Sequence, residues 1–335
     1  MRLYTLESES VELLIEVEAG RPTVFAGLNA TLKSIAARSL GGWAPTLKDL
    51  GVEYRVEPEP ESDAWLLELI PDYRLVLREG VRVLPALIKV QEHLRSIPER
   101  MEEEEEAKAE AVAVERSLED LDKVFKALIP LCSRYLSAKL RASSRLQAKL
   151  LHMLYEEAER LAEEIGVIAV EDILPLDVEI YGEPGSDKWL KVHDERINRD
   201  IALNYVSSAL ATVLMLKHLI SALADAQHPK KLVVVEEPEE ASAPVQQVLF
   251  SRFLERALRE EDVGEVYLVV TTHSPFIAYS FSNPRLYYFY YDHSSRKFRV
   301  VEERAGRPFI MADLAMLKQV EATAEVEGNG EEVAD

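Results

Sequence analysis

Three short stretches carry residues whose types and spacing could do phosphate chemistry. In "AGLNATLKS", Ala26 to Ser34, Gly27 precedes Lys33 and Ser34 at the spacing of a phosphate-binding loop, Gly-x4-Gly-Lys-Ser, with Leu32 at the second glycine. A lysine there neutralises phosphate charge while backbone amides cradle it. In "KLVVVEEPEEASAP" an apolar run ends in Glu236, Glu237 and Pro238. Two adjacent acids at the carboxyl end of a buried strand can divide labour, one toward a Mg²⁺ hydration shell and one toward a water that must lose a proton. In "VVTTHSPF" a second apolar run ends in Thr271, Thr272 and His273, where a neutral imidazole could contact phosphate or position water. Taken singly, the acids also read as the start of a solvated loop and His273 as a locally satisfied strand-end histidine. Their order along one chain favours a single site.

The elements that must position these residues follow from periodicity. "PTVFAG" reads as a short apolar strand, and "TLKSIAARSL" has helical spacing up to the turn at Gly41 and Gly42. The loop therefore joins a strand to a helix, whose N-terminus supplies the N–H groups that hold phosphate. "VELLIEVEA" alternates like a strand, and "WLLELIPDYRLVLRE" reads as two strand segments around a Pro-Asp turn. From about Val83 to Ile165 the pattern is helical and charged, with breaks at Pro98 and Pro130. Its first arm holds five consecutive glutamates at 102–106, and its second, "SRYLSAKLRASSRLQAKL", holds five basic residues and no acidic one. On a continuous helix Arg134, Arg141, Arg145 and Lys149 share one stripe. The acidic and basic arms read as a hairpin that pairs with itself, or the stripe as a strip for phosphate backbone or an acidic partner.

Strands return in "VIAV" and "LDVEIYG", followed by one long apolar helix over "NRDIALNYVSSALATVLMLKHLISALADA". The apolar strands "KLVVV" and "EVYLVVTT", separated by the amphipathic "PVQQVLFSRFLERALRE", imply a parallel sheet covered on both faces. "RLYYFYYD" and "KFRVVEE" around "HSSR" read as a final hairpin.

Composition bounds the partners. At 335 residues and 47% hydrophobic there is material for a sizeable core, and the formal charge of −21 argues against a generally basic, nucleic-acid-coated surface. A local basic patch is compatible with it. No run of about 18 apolar residues appears, so no membrane-spanning helix is expected. The first residues alternate like a strand and lack the pattern of a signal peptide. A single cysteine, Cys132, excludes an internal disulfide and a cysteine-built zinc cage, and the simplest compartment is the cytoplasm. A Glu-rich charged fraction of 30% leans thermophilic.

Against this background "LVVVEEPEEASAPVQQVL" resembles the Walker B region of ABC-type ATPases of the RecF, OLD and structural-maintenance-of-chromosomes kind. The OLD-like branch reads Glu-Glu-Pro-Glu with a downstream Pro and Gln, as Pro244 and Gln247 stand here. "TTHSPF" resembles their H-loop. The resemblance runs in order along the whole chain and is concentrated in residues 232–247 and 269–276. It implies an α/β P-loop NTPase head, a sheet flanked by helices, with a coiled-coil-like helical insertion. The implied division is an N-terminal lobe at 1–82, the insertion at 83–166 and a C-terminal lobe at 167–320, followed by an acidic tail at 321–335 that reads as disordered.

Carried over residue by residue, the resemblance assigns nucleotide binding to Gly27, Asn29, Thr31, Lys33 and Ser34. It assigns Mg²⁺ to Ser34 and Glu236, water activation to Glu237, and γ-phosphate sensing to His273. Ser207 and Ser208 in "NYVSSALA" would be the signature segment offered to a second copy's nucleotide. The implied cofactors are ATP and Mg²⁺. The implied partners are a homodimer through the heads and DNA or a nuclease or other DNA-processing protein, with no membrane. The chain departs from the family pattern Gly-x-Asn-Gly-x-Gly-Lys-Ser at Ala30 and Leu32, and from the signature Ser-Gly at Ala209. Gln91 and Gln147 are the candidates for the family's Q-loop glutamine. Two functions follow: an ATPase whose nucleotide-driven dimerisation moves the insertion, or a catalytically inactive pseudo-ATPase serving as an interaction scaffold. A metal-dependent nuclease built on Glu236, Glu237 and Glu239 is a third and weaker reading.

Overall fold

The apolar runs that end at Gly27, Glu236 and Thr271 become three adjacent strands of one sheet. The computed structural model describes residues 1–6, 8–27, 32–60, 63–71, 144–175, 178–181, 191–194, 197–202, 208–225 and 227–303. Asn29, Thr31, Gln91, the glutamates at 102–106, Cys132, Arg134, Arg141, Ser207 and the tail from 321 lie outside the described residues. The strands are β1 (Arg2–Thr5), β2 (Val11–Glu12), β3 (Leu14–Glu16), β4 (Thr23–Gly27), β5 (Tyr54–Glu57), β6 (Trp65–Ile70), β7 (Val178–Tyr181), β8 (Lys191–Asp194), β9 (Arg199–Ala202), β10 (Lys230–Glu236), β11 (Glu265–Thr271), β12 (Arg285–Asp292) and β13 (Lys297–Glu302). The helices are α1 (Lys33–Gly41), α2 (Arg145–Ile165), α3 (Val170–Ile173), α4 (Ser208–Leu223), α5 (Pro244–Ala257) and α6 (Pro275–Ser280). Among the described residues, no helix is long and apolar enough to cross a membrane.

The chain divides into two compact units, one of residues 1–69, 228–237 and 264–335, the other of 70–227 and 238–263. The first is a mixed α/β unit around a seven-stranded sheet in the order β2-β13-β12-β4-β11-β10-β6. Its centre is parallel: β10 pairs with β11, β11 with β4, and β4 with β12. Residues facing both ways along these strands are buried, Leu232 and Val234 on one side, Val233 and Val235 on the other, as the continuous apolar runs require. α1 packs on β4, β10 and β11 through Ala36, Ala37 and Leu40, in one core with Phe25, Leu232, Val234 and Val269. The two alanines let the helix axis approach the sheet closely.

The predicted final hairpin is present as the antiparallel pair β12 and β13. The alternating "VELLIEVEA" is divided at Leu13, whose N–H donates to Thr5 Oγ1 at 3.0 Å. Residues before the break join β13 in the large sheet, and those after it join β1 in the small antiparallel sheet β3-β1-β5.

The second unit corrects three expectations. "VIAV" is not a strand: it finds no strand partner among the described residues, Val167 is 90% exposed, and Val170 opens the short α3 with Glu171 and Asp172 in its first turn. The long helix does not extend over the start of its apolar pattern, because Arg199–Ala202 pairs with β8 as β9; the helix described is α4, Ser208–Leu223. The four-residue basic stripe is interrupted at Ser144, with Arg134 and Arg141 outside the described residues. Ser144 sits in extended conformation as the N-cap of α2, accepting from Gln147 N–H at 3.1 Å while Gln147 Oε1 accepts from Ser144 N–H at 3.2 Å. Arg145 and Lys149 belong to α2, and Lys149 pairs with Glu260 and, at 3.7 Å, with Asp262. α2 is tied to α5 by Arg256 with Glu156 and Glu157, and by Arg252 with Glu164 at 2.9 Å.

Candidate functional site

Parallel pairing brings the carboxyl ends of β4, β11 and β10 to the same edge. Thr271 is in register with Glu236 on one side and Phe25 on the other. The ladder continues past the strands: Glu237 N–H donates to the Thr271 carbonyl and Thr272 N–H to the Phe25 carbonyl, both at 2.9 Å. Such an edge is where open α/β sheets bind ligands.

Gly27 closes β4 with φ 138°, and a Cβ there would overlap the Phe289 carbonyl oxygen of β12. The position therefore requires glycine on both conformational and steric grounds. Leu32, immediately before α1, has φ 67° and ψ 8°. The backbone thus adopts the left-handed conformation at the position where the loop pattern has glycine, at a strain of about 1 kcal/mol for a branched residue. Its side chain packs against the core that holds Ala36 and Leu40.

Lys33, the first residue of α1, is only 4% exposed. Its Nζ donates to the Gly27 carbonyl at 2.8 Å and lies 3.4 Å from Nδ1 and 3.3 Å from Nε2 of His273. His273 Nε2 in turn is 3.2 Å from Glu237 Oε1. If Nε2 carries the proton given to Glu237, Nδ1 is the acceptor left to face the lysine ammonium. The His273 hydrogen bond holds the Glu237 carboxyl below the usual glutamate range. Burial opposes this, and the His273 and Lys33 charges reinforce it. Glu237 itself has φ 46°, so the chain turns sharply as it leaves β10.

His273 is fixed by local turn chemistry. Thr272 Oγ1 accepts from Ser274 N–H at 2.9 Å, and Ser274 caps α6 by accepting from Phe276 N–H at 3.1 Å, with Pro275 at the first helical position. "THSP" thus specifies a tight stop that leaves the imidazole at the strand edge.

The residue that the sequence did not disclose is Arg38. From α1 its Nε and Nη2 donate to Glu236 Oε1 and Oε2, both at 2.6 Å, a bidentate pair in which Glu236 is 4% exposed. This bond to Glu236 raises the Arg38 pKa above its ordinary value against the effect of burial. Mg²⁺ takes oxygen ligands in near-ideal octahedral geometry. Each oxygen of Glu236 already accepts from Arg38, and the guanidinium charge 2.6 Å away opposes a second cation, so the residues present fit that ion poorly without movement of Arg38. Among the described residues, no group of three or more His, Cys, Asp or Glu could hold a metal.

The remaining predicted residues are placed as follows. Ser34 is the second residue of α1, partly exposed. Ser208 opens α4 in the second unit. Gln147 serves the cap of α2, and Gln247 donates to the Ser242 carbonyl at 2.9 Å.

No family model and no curated protein matches the chain. Among solved structures it is similar to the Smc head domain with an extended coiled coil bound to the C-terminal domain of ScpA from Pyrococcus furiosus, at 10% identity and a TM-score of 0.39, covering 96% of this chain and 98% of that one. It is also similar to the SMC head domain from Thermotoga maritima, at 12% identity and a TM-score of 0.37, covering 91% and 98%. A nucleotide-free ATP-binding cassette from an ABC transporter is similar at 12% identity and a TM-score of 0.38, covering 90% of each chain. None of the distances at the site depends on these likenesses.

Proposed function

We propose that the first unit is a nucleotide-phosphate site of the ABC-type ATPase class, of the RecF and OLD-like kind that the motifs resemble, with ATP as its ligand. One observation carries the reading. Gly27, Lys33, Glu236, Glu237 and His273, far apart in sequence, meet at the carboxyl edge of three adjacent parallel strands. Lys33, directly at the start of α1, supplies the positive charge for a β- or γ-phosphate, and the helix N-terminus adds its N–H groups. Glu237, kept ionised by His273, is the base toward an attacking water, and His273 orients it and faces the terminal phosphate. Dimerisation through two such heads, with Ser207 and Ser208 of each reaching the other's nucleotide, belongs to the same proposal. So do a helical insertion that transmits the change and a DNA or DNA-processing partner.

A second reading is favoured by two specific features, the left-handed Leu32 and the Arg38 clamp on Glu236. In it the unit is a catalytically inactive pseudo-ATPase that keeps the fold without turnover and serves as an interaction scaffold. ATP binding and hydrolysis by the wild type, Lys33→Ala and Glu237→Gln separate the two. The ATPase reading expects binding to fall at least about tenfold in Lys33→Ala, and turnover to fall by about 10² or more in Glu237→Gln with binding retained. No measurable turnover in the wild type, with or without binding, supports the scaffold.

A further inference from the structure

The acid pair at the end of β10 is asymmetric. Glu237 is half-buried and faces His273, whereas Glu236 is 4% exposed and gives both oxygens to one guanidinium on α1. Arg38 lies on the same helix whose first residue is Lys33, so one element brings two cations to this edge, Arg38 onto Glu236 and Lys33 against His273. The lysine, arginine and glutamate charges described at this edge, Lys33 and Arg38 against Glu236 and Glu237, are two of each sign. A divalent cation would have to break a bidentate pair, one of the strongest hydrogen-bonded arrangements available to a carboxylate.

We propose that Arg38 is a positioning residue that closes Glu236 to divalent cations, so that phosphate binding at Lys33 proceeds without a metal. The proposal rests on the phosphate-site reading for its second half only. Its first half, exclusion of the cation by Arg38, concerns the apo protein. Moving Arg38 off Glu236 converts the edge into a cation-dependent one.

Two measurements test this. ATP binding is followed by calorimetry in EDTA and in excess MgCl₂, and Mn²⁺ binding without nucleotide is followed by electron paramagnetic resonance. The wild type is expected to bind ATP equally in both buffers, within about twofold, and to show no Mn²⁺ site that Glu236→Gln removes. Arg38→Met is expected to gain a Mn²⁺ site that is lost again in Arg38→Met/Glu236→Gln, and to bind ATP at least about tenfold more tightly with Mg²⁺ than without. A wild type that needs Mg²⁺ for ATP, or an Arg38→Met variant that gains no Mn²⁺ site, overturns the proposal. If Arg38→Met does not fold, the wild type and Glu236→Gln decide alone. Glu236→Gln keeps an acceptor oxygen for Arg38, and a Mn²⁺ site or a Mg²⁺ requirement that disappears with it is the contrary result. If no variant binds ATP in either buffer, the phosphate reading fails while the Mn²⁺ comparison still judges Arg38.

Discussion

At the start of β12, Arg285 lies among Glu16, Glu18 and Glu302 at 2.7–2.9 Å and is 12% exposed, while at the other end of the same sheet Arg38 pairs with Glu236 and Lys33 lies against His273, which bonds Glu237. Both edges pair cations with carboxylates, yet their backbones differ. Around Arg285 the acids come from regular strands and the loop between them, and the cluster ties β3, β12 and β13 together. At the opposite edge Gly27, Leu32 and Glu237 all have positive φ, and a lysine is buried at a helix start. Beside the Arg285 cluster the one positive φ among the described residues falls on Gly20, where it costs little, whereas Leu32 and Glu237 adopt it with side chains. Strained backbone held by surrounding structure clusters at ligand and active sites in proteins generally, which supports the phosphate-site proposal.

The difference can be broken most severely at Gly27. Gly27→Ala places a Cβ on the Phe289 carbonyl oxygen at a φ that L-residues avoid. Chemical denaturation is expected to show a loss of about 3 kcal/mol, with ATP binding lost as well. An unchanged midpoint would mean that the two strands separate easily here.

Arg285→Met probes the stapling edge. A loss of about 1–2 kcal/mol is expected, moderated because its three acids are partly exposed, and ATP binding should not change. The effect has a defined pH dependence. Hydrogen bonds from Arg2 and Arg285 hold Glu16 below the usual glutamate range. A carboxylate whose pKa is depressed on folding contributes fully above its unfolded value and loses that contribution as pH falls through the folded one. The gap between wild type and Arg285→Met should therefore be full near neutrality and shrink on acidification below the ordinary glutamate range. A gap independent of pH would assign the effect to lost packing of the arginine stem.

Leu32→Gly sharpens the other edge with the smallest change in stability. Relief of the left-handed strain, about 1 kcal/mol, offsets the lost contact of a partly buried leucine, so the denaturation midpoint should hardly move. ATP binding is expected to tighten by about fivefold as backbone gains room beside phosphate. Weaker binding would show that the leucine itself organises the loop.

How much of this was legible in the sequence depends on whether the controlling contact is local. The strand ends at Glu236 and Thr271, the helix after the loop and the last hairpin are written in continuous or alternating apolar runs with turn residues at their borders. "THSP" writes its own turn through Thr272, Ser274 and Pro275. The failures are non-local. "VIAV" has the composition of a strand and, among the described residues, no strand neighbour to pair with. "RDIA" has the look of a helix start and is drawn into β9 by β8. Arg38 meets Glu236 across 198 residues, and nothing in "KSIAARSLG" announces that partner. The only local clue is an arginine on a helix whose sheet-facing residues are Ala36, Ala37 and Leu40. The break before α2 was readable, since Ser144 and Gln147 form the capping-box pattern that ends the phase of the basic stripe.

Direct titration of the protein with ATP, in EDTA and in MgCl₂, beside Lys33→Ala tests the phosphate site most directly. Lys33 is buried against Gly27 and His273, and its removal takes away the charge that a phosphate would meet. Saturable binding by the wild type that weakens at least about tenfold in a folded Lys33→Ala is the predicted result. No binding by the wild type, or binding that Lys33→Ala leaves unchanged, would contradict it.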